Sequence, residues 1–314
     1  MRLLVFGAGG VGGYLAGKLG TMVGAPAFPI TEIGVIARGA HLAAIRKDGL
    51  TYLDPFGSET SVRPQAAEDP AELPQPDLAL LCVKGYDLEA AVDALLPRVG
   101  GSTAILPLLN GADIDERVRA RLGGRGVVLP GCIYISAFIE RPGRVRHAGG
   151  PGSIVLGTSP DDPGYYPEPL LAACRGVEIP IEWRDDPAPA IWEKFLFIAP
   201  FSLVTAVGRQ PIGGVLEDAA LRADARAIVA ETAGIARRKG VNLDDGIVDS
   251  IMEKAAAFPA GTTTSFQRDI EAGSPRDERD IFGGTILRLG ELYGVETPVA
   301  RRYAEALPGS RAGE

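Results

Sequence analysis

The sequence predicts the α/β fold class: an N-terminal domain built on a doubly wound, mostly parallel sheet, followed by an all-helical C-terminal domain. Three observations predict it. A short apolar run, Leu3–Phe6, leads into the stretch Gly7-Ala8-Gly9-Gly10-Val11-Gly12 and then into a helical pattern. The same theme of apolar run followed by helix repeats through the first half of the chain, as parallel strands with crossover helices require. Beyond Pro189 strand-like runs stop and helical patterns alone follow.

The elements follow in order. Leu3–Phe6, Ile33–Ala37, Leu78–Val83 and Thr103–Leu106 are the clearest strands. Val127–Leu129, Cys132–Phe138, Ser153–Leu156 and Val177–Ile181 are further runs of strand length, separated by turns such as Pro163-Gly164, and are expected to extend the same sheet. Pro187 and Pro189 close the strand region and can start a helix, which predicts domains at residues 1–186 and 187–314. In the second, Leu216–Lys239 ends in three cations before Gly240, a residue able to take the left-handed cap conformation. Leu243–Phe258 is a further helix, Gly294 ends another, and Thr297-Pro298 starts the last with an N-cap hydroxyl and a proline at the first position. The tail Pro308–Glu314 is expected to be disordered.

Composition narrows the function. The 314 residues, 46% of them hydrophobic, suffice for two separate cores. A net charge of −8, with 32 basic and 40 acidic residues spread along the chain, leaves no basic stripe for a nucleic-acid backbone or an anionic bilayer. Gly7 cuts the N-terminal apolar run short of a signal sequence, and no later run is expected to span a membrane, so a cytoplasmic protein is expected. Cys82, Cys132 and Cys174 are far apart and only two histidines accompany them, a pattern that indicates neither disulfides nor a metal site.

The glycine stretch carries the first chemistry. Glycines between a strand and a helix let backbone N–H groups approach a pyrophosphate, the arrangement of Rossmann-type dinucleotide sites. A tight turn without a ligand is the plainer reading, but the succession of strand-helix units around it favours the dinucleotide. Its identity depends on the end of the second strand, where an acidic residue would bind the ribose 2′-OH of NAD. Here the strand ends Ile36-Ala37-Arg38, and Glu32 stands at its start, the wrong end of the sheet. A guanidinium at Arg38 suits a 2′-phosphate, so NADPH is the expected cofactor.

Together with the glycine stretch, Ala37-Arg38-Gly39-Ala40-His41-Leu42, Val83-Lys84, Asn110-Gly111, Trp192-Glu193-Lys194, Ser265, Glu278-Arg279-Asp280 and Gly294-Val295-Glu296-Thr297-Pro298 resemble, in this order, the 2-dehydropantoate 2-reductase (ketopantoate reductase) family. The resemblance covers nearly the whole chain. It implies that Gly7, Gly9, Gly10, Val11, Gly12, Arg38, Lys84 and Asn110 bind NADPH, that Lys194 is the general acid, and that Asn110 holds substrate and cofactor. It further implies that Ser265 binds the substrate carboxylate and Glu278 a substrate hydroxyl. Without it, Lys84 would read as a solvated strand end and Asn110-Gly111 as a turn.

Two departures from the family pattern bear on specificity. After the lysine the family carries asparagines lining the pocket, where this chain has Ile198 and Ser202. Pro275-Arg276-Asp277-Glu278 holds one extra residue, so Asp277 is the alternative to Glu278. The expected reaction is reduction of a small 2-oxo acid, ketopantoate to (R)-pantoate. The rivals are a reductase of a more apolar oxo acid and a catalytically silent NADPH-binding sensor. The expected partner is the small substrate alone, and a homodimer is compatible with the sequence.

Overall fold

The structure, a computed structural model, describes residues 1–308, so the expectation for the tail falls, Pro308 apart, outside the described residues. The chain divides into two compact units: 1–109 with 114–187, and Asn110–Asp113 together with the chain from Ala188 onward. The main body of the second unit begins at Ala188, and the unit also takes in four residues, Asn110–Asp113, from within the expected first domain of 1–186.

The first unit contains a parallel sheet of β1 (Arg2–Phe6), β2 (Glu32–Ile36), β5 (Gln65–Ala67), β6 (Leu78–Leu81), β7 (Ala104–Pro107) and β8 (Val127–Val128). Its order is β5-β2-β1-β6-β7-β8. Counted along this sheet alone the order is 3-2-1-4-5-6, that of dinucleotide-binding sheets. All four residues of β6 and of β7 are buried, as expected of central parallel strands covered on both faces. α1 (Gly10–Gly20), α2 (Gly39–Asp48), α3 (Leu88–Leu95), α4 (Ile114–Leu122) and α5 (Glu168–Gly176) belong to the same unit.

One expectation fails here. Cys132–Phe138 and Ser153–Leu156 do not extend the parallel sheet. They lie in β9 (Gly131–Arg141) and β10 (Arg144–Gly157), a long antiparallel hairpin in a second sheet, where β10 also pairs with β3 (Leu50–Leu53) and β11 (Ile181–Arg184), and β3 with β4 (Glu59–Val62). The expected strand Val177–Ile181 is displaced: Val177 caps α5, and β11 begins at Ile181. The second sheet has a solvated face: from Ser136 onward β9 is mostly exposed, and in β10 the buried Val145 and His147 alternate with the half-buried Arg144 and Arg146.

α1 packs against this second sheet through glycines at helical spacing. A Cβ at Gly10 would lie 2.1 Å from the Ala137 carbonyl oxygen, one at Gly13 2.5 Å from Val145 Cγ2, and one at Gly17 2.6 Å from Tyr52 Cβ. The helix axis therefore approaches the strands more closely than any side chain would permit.

The second unit is helical: α6 (Ala188–Gly208), α7 (Ile212–Glu217), α8 (Ala219–Lys239), α9 (Ile247–Ala256), α10 (Ser265–Glu271), α11 (Thr285–Tyr293) and α12 (Pro298–Ala306), with a π-helical turn at Asp280–Gly284. α6 is its core. Among the described residues it is the one helix long and apolar enough to cross a bilayer, and 72% of its most apolar stretch is buried in the protein. The helix expected from Leu216 breaks at Asp218, whose carboxylate accepts from the Ala220 and Leu221 amides and so starts α8 anew. Gly240 and Gly294 take the left-handed cap conformation, with φ of 91° and 66°. The Thr297 hydroxyl does not cap α12. Glu231 of α8 does, accepting from the Val299 and Ala300 amides at 2.9 Å each.

Candidate functional site

In the first unit the glycine loop lies at the carboxyl end of β1, between β2 and β6, the point where strand order reverses and ligands bind in such sheets. The Gly7 and Ala8 amides both donate to the Ile36 carbonyl, at 3.1 and 2.8 Å, which lashes the loop to β2. The glycines do different work. Gly7 has φ +98° and its Cα faces the Cys82 backbone. Gly12 faces the Gly7 carbonyl, and Gly10 packs on β9. Gly9 alone of the four faces open space, with nothing within 4 Å of an added Cβ. Gly9 is also the N-cap of α1 and has no side chain to satisfy the helix's first amides, while the first turn carries no acidic residue. Unshielded amides at a positive helix end beside open space form a cradle for an anion, and a pyrophosphate fits it.

Arg38 lies two residues past β2 and is the N-cap of α2, its side chain 56% exposed. A carboxylate that sequence reasoning missed stands near it: Asp87, after β6, lies 3.5 Å from the guanidinium. At that distance and exposure the pair is weak. Lys84 is exposed at the end of the β6 segment and caps the 3₁₀ turn Gly85–Asp87.

In the second unit the structure brings Lys194 and Asn110 together. The half-buried ammonium donates to Asn110 Oδ1 at 2.9 Å. Because an ammonium only donates, the amide oxygen must face it, and the Asn110 amide group is turned the other way as a donor. Gly111, at φ +133°, makes the turn that presents Asn110.

The segment that follows Asn110 is anchored within the same unit. Asp113, three residues on and buried, accepts from Arg288 at 3.2 Å and from the Thr285 hydroxyl at 3.3 Å. Arg288 also binds Asp280, the first residue of the π-helical turn. One guanidinium therefore connects the Asn110 segment to the turn that follows Glu278. Neither Asp113 nor Arg288 was read from the sequence as part of a site.

Glu278 is buried, 4% exposed. Its neighbour Asp277 is engaged by the Arg279 guanidinium at 2.6–3.2 Å. Burial alone would raise the Asp277 pKa, but the hydrogen bonds and charge of Arg279 outweigh it and hold the carboxyl below its ordinary 3.8. Ile198 is half-buried one turn after Lys194, and Ser202 is buried two turns after it on α6. Ser265 is exposed at the first position of α10; the cap is Thr264, which accepts from the Gln267 amide at 3.0 Å.

The chain matches two family models, ketopantoate reductase PanE/ApbA over residues 3–161 and the C-terminal domain of the same family over residues 187–309. The chain belongs to the ketopantoate reductase PanE/ApbA family. It is therefore an oxidoreductase of a pyridine nucleotide-dependent family. A 2-dehydropantoate 2-reductase of Mesorhizobium japonicum is 28% identical, covering 95% of this chain and 94% of that one. A crystal structure of a PanE/ApbA family ketopantoate reductase from Ralstonia eutropha superposes with a TM-score of 0.86 at 28% identity, covering 98% and 97% of the two chains. D-mandelate dehydrogenase, solved with NADH and anilino(oxo)acetate, shares the fold at a TM-score of 0.80 and 21% identity, covering 98% and 97%.

Within this family frame, Asp113 and Arg288 had one sequence signal, an acid three residues after Asn110 in Asn110-Gly111-Ala112-Asp113. Its partner lies 175 residues away, which no local pattern announces.

Proposed function

We propose that this chain reduces a small 2-oxo acid to the 2-hydroxy acid with NADPH, taking 2-dehydropantoate (ketopantoate) to (R)-pantoate in the cytoplasm. The Lys194–Asn110 hydrogen bond of 2.9 Å carries the reading. A silent NADPH-binding sensor has no use for an ammonium held half-buried on a helix that is mostly core.

When bound, the reduced nicotinamide supplies the hydride that the ketone carbon accepts. The residues do the rest. Lys194 donates a proton to the ketone oxygen as negative charge develops there. Asn110 fixes the ammonium's position and turns its own amide donor toward substrate and cofactor. Glu278 accepts from the substrate hydroxyl, Ser265 binds the carboxylate, and Ser202 contributes a hydroxyl to the pocket wall. The loop at Gly7, Gly9, Gly10, Val11 and Gly12 holds the pyrophosphate, with Lys84 near the phosphates. Arg38 leaves Asp87 for the 2′-phosphate, a charge-assisted exchange.

Ile198 supports a second reading with the same cofactor and chemistry, in which the preferred oxo acid is more apolar. A pocket without partners for a hydroxyl distinguishes substrates by only ~1–3 kcal/mol per methylene. Steady-state reduction of ketopantoate beside a panel of other 2-oxo acids, with NADPH and with NADH, tests both. Ketopantoate is expected to have the highest kcat/KM, and NADPH to bind about tenfold or more tighter than NADH. Analogues lacking the hydroxyl and outperforming ketopantoate would establish the second reading. A folded, NADPH-binding protein that turns over none of them would sink both.

A further inference from the structure

His41, in the first turn of α2, makes two hydrogen bonds that join three separate pieces of the first unit. Its Nδ1 lies 3.0 Å from the Gly143 amide nitrogen, and its Nε2 lies 2.8 Å from the Ala8 carbonyl oxygen. The Gly143 amide can only donate, so Nδ1 accepts. Nε2 must then carry the ring proton and donate it to Ala8. Burial holds the imidazole pKa below its ordinary value, against an opposing pull from the Ala8 bond, and this agrees with a neutral ring.

Ala8 is the second residue of the glycine loop, and its carbonyl belongs to the same planar peptide as the Gly9 amide. In a trans peptide the C=O and N–H point in opposite directions. Drawing the Ala8 oxygen toward α2 therefore aims the Gly9 N–H away from α2. Gly9 is the loop glycine with open space beside it. Were this peptide to turn over, a carbonyl oxygen would occupy the place of a donor and repel an anion. Gly143 makes the other end of the brace rigid. It has φ +77° in the turn between β9 and β10, its carbonyl accepts from the Thr51 amide at 2.9 Å, and a Cβ added to it would lie 3.0 Å from Ala44 Cβ.

We propose that His41 is a positioning residue for the cofactor pyrophosphate, holding the Ala8–Gly9 peptide with its amide toward the phosphate side. The assignment rests on the NADPH reading above. It touches the pyrophosphate only through the peptide it orients, so its effect is confined to ligands that carry one.

Titration of NADPH and, separately, of adenosine 2′-monophosphate, which lacks a pyrophosphate, tests the assignment on the purified full chain. His41→Leu is expected to raise the NADPH dissociation constant by about tenfold or more, the scale of losing one hydrogen bond to a charged group. Its affinity for adenosine 2′-monophosphate should match the parent. His41→Gln places an amide donor where Nε2 stands and should restore NADPH binding. His41→Asn offers a group only at the Nδ1 position and should not. The comparison of Gln with Asn keeps the test decisive if the leucine variant does not fold. Equal NADPH affinity in His41→Asn and His41→Gln would overturn the proposal. So would a parallel loss of both ligands in His41→Leu, since that marks a general structural role. A parent protein that binds neither ligand would overturn the NADPH reading itself, and this proposal with it.

Discussion

Two adjacent carboxylates, Asp277 and Glu278, differ in what they touch, and that difference separates their expected phenotypes. Asp277 is clasped by Arg279 and held below its ordinary pKa of 3.8. A carboxyl depressed in the folded state stabilises the fold above the unfolded value and loses that contribution as pH falls through the folded one. Asp277→Asn should therefore lower the melting temperature at pH 7 while leaving kcat/KM nearly unchanged, and the difference should close in melts taken well below pH 3.8. Glu278→Gln should do the opposite, sparing the melting temperature and lowering kcat/KM for the hydroxylated substrate. The reverse pattern would make Asp277 the functional acid. Lys194→Ala should keep NADPH affinity and the thermal transition but lose kcat by ~10²–10⁴-fold, the usual contribution of a general acid. Parental kcat in that variant would remove Lys194 from the mechanism. At this scale the sequence was legible where a residue's role is local: Asn110-Gly111 is a turn because Gly111 alone takes φ +133° without strain. Asp87 beside Arg38 was not legible, because their strands become neighbours of β1 only after folding.

Among the elements, α1 shows how neighbouring glycines can serve unrelated ends. Gly9 and Gly10 are adjacent, yet an added Cβ meets nothing at the first and lies 2.1 Å from a backbone carbonyl at the second. Gly10→Ala should therefore destabilise the protein by roughly 1–3 kcal/mol, the scale of overpacking where backbone has to move. Gly9→Ala should melt close to the parent but, on the proposed reading, bind NADPH more weakly, because the methyl would fill the open space beside Gly9. Urea titrations beside cofactor titrations of the two variants check the contrast, and equal stability would show that α1 can retreat from β9. Five of the six strands of the parallel sheet were legible as apolar runs, whereas β5, three residues opening on a glutamine, was not. Membership of the second sheet was not: an apolar run states that a strand will be buried but not which strand it will pair with. The helix caps show the same limit. Asp218 captures the amides two and three residues ahead, a local bond, whereas α12 takes its cap from Glu231, 68 residues earlier in sequence.

At the scale of the whole molecule, each unit carries one of the two tryptophans, Trp183 in β11 and Trp192 in α6. With Trp192 replaced by Phe, the emission of Trp183 reports the first unit alone. NADPH at about 100 times its dissociation constant should stabilise the transition seen by Trp183 by ~2.7 kcal/mol through mass action. An unmoved transition would place the cofactor elsewhere than the glycine loop. The sequence alone determined the fold class and the glycine loop with its strand and helix, because each follows from apolar periodicity or glycine freedom within a few residues. Only the tertiary structure decided the rest. It assigned β9, β10 and β11 to a second sheet and gave Asn110–Asp113 to the helical unit. It also joined Asp113 to Arg288, and His41 to both Ala8 and Gly143. These are choices of partner across long stretches of chain, made by which surfaces can approach and which charges and amides would otherwise be buried without a bond.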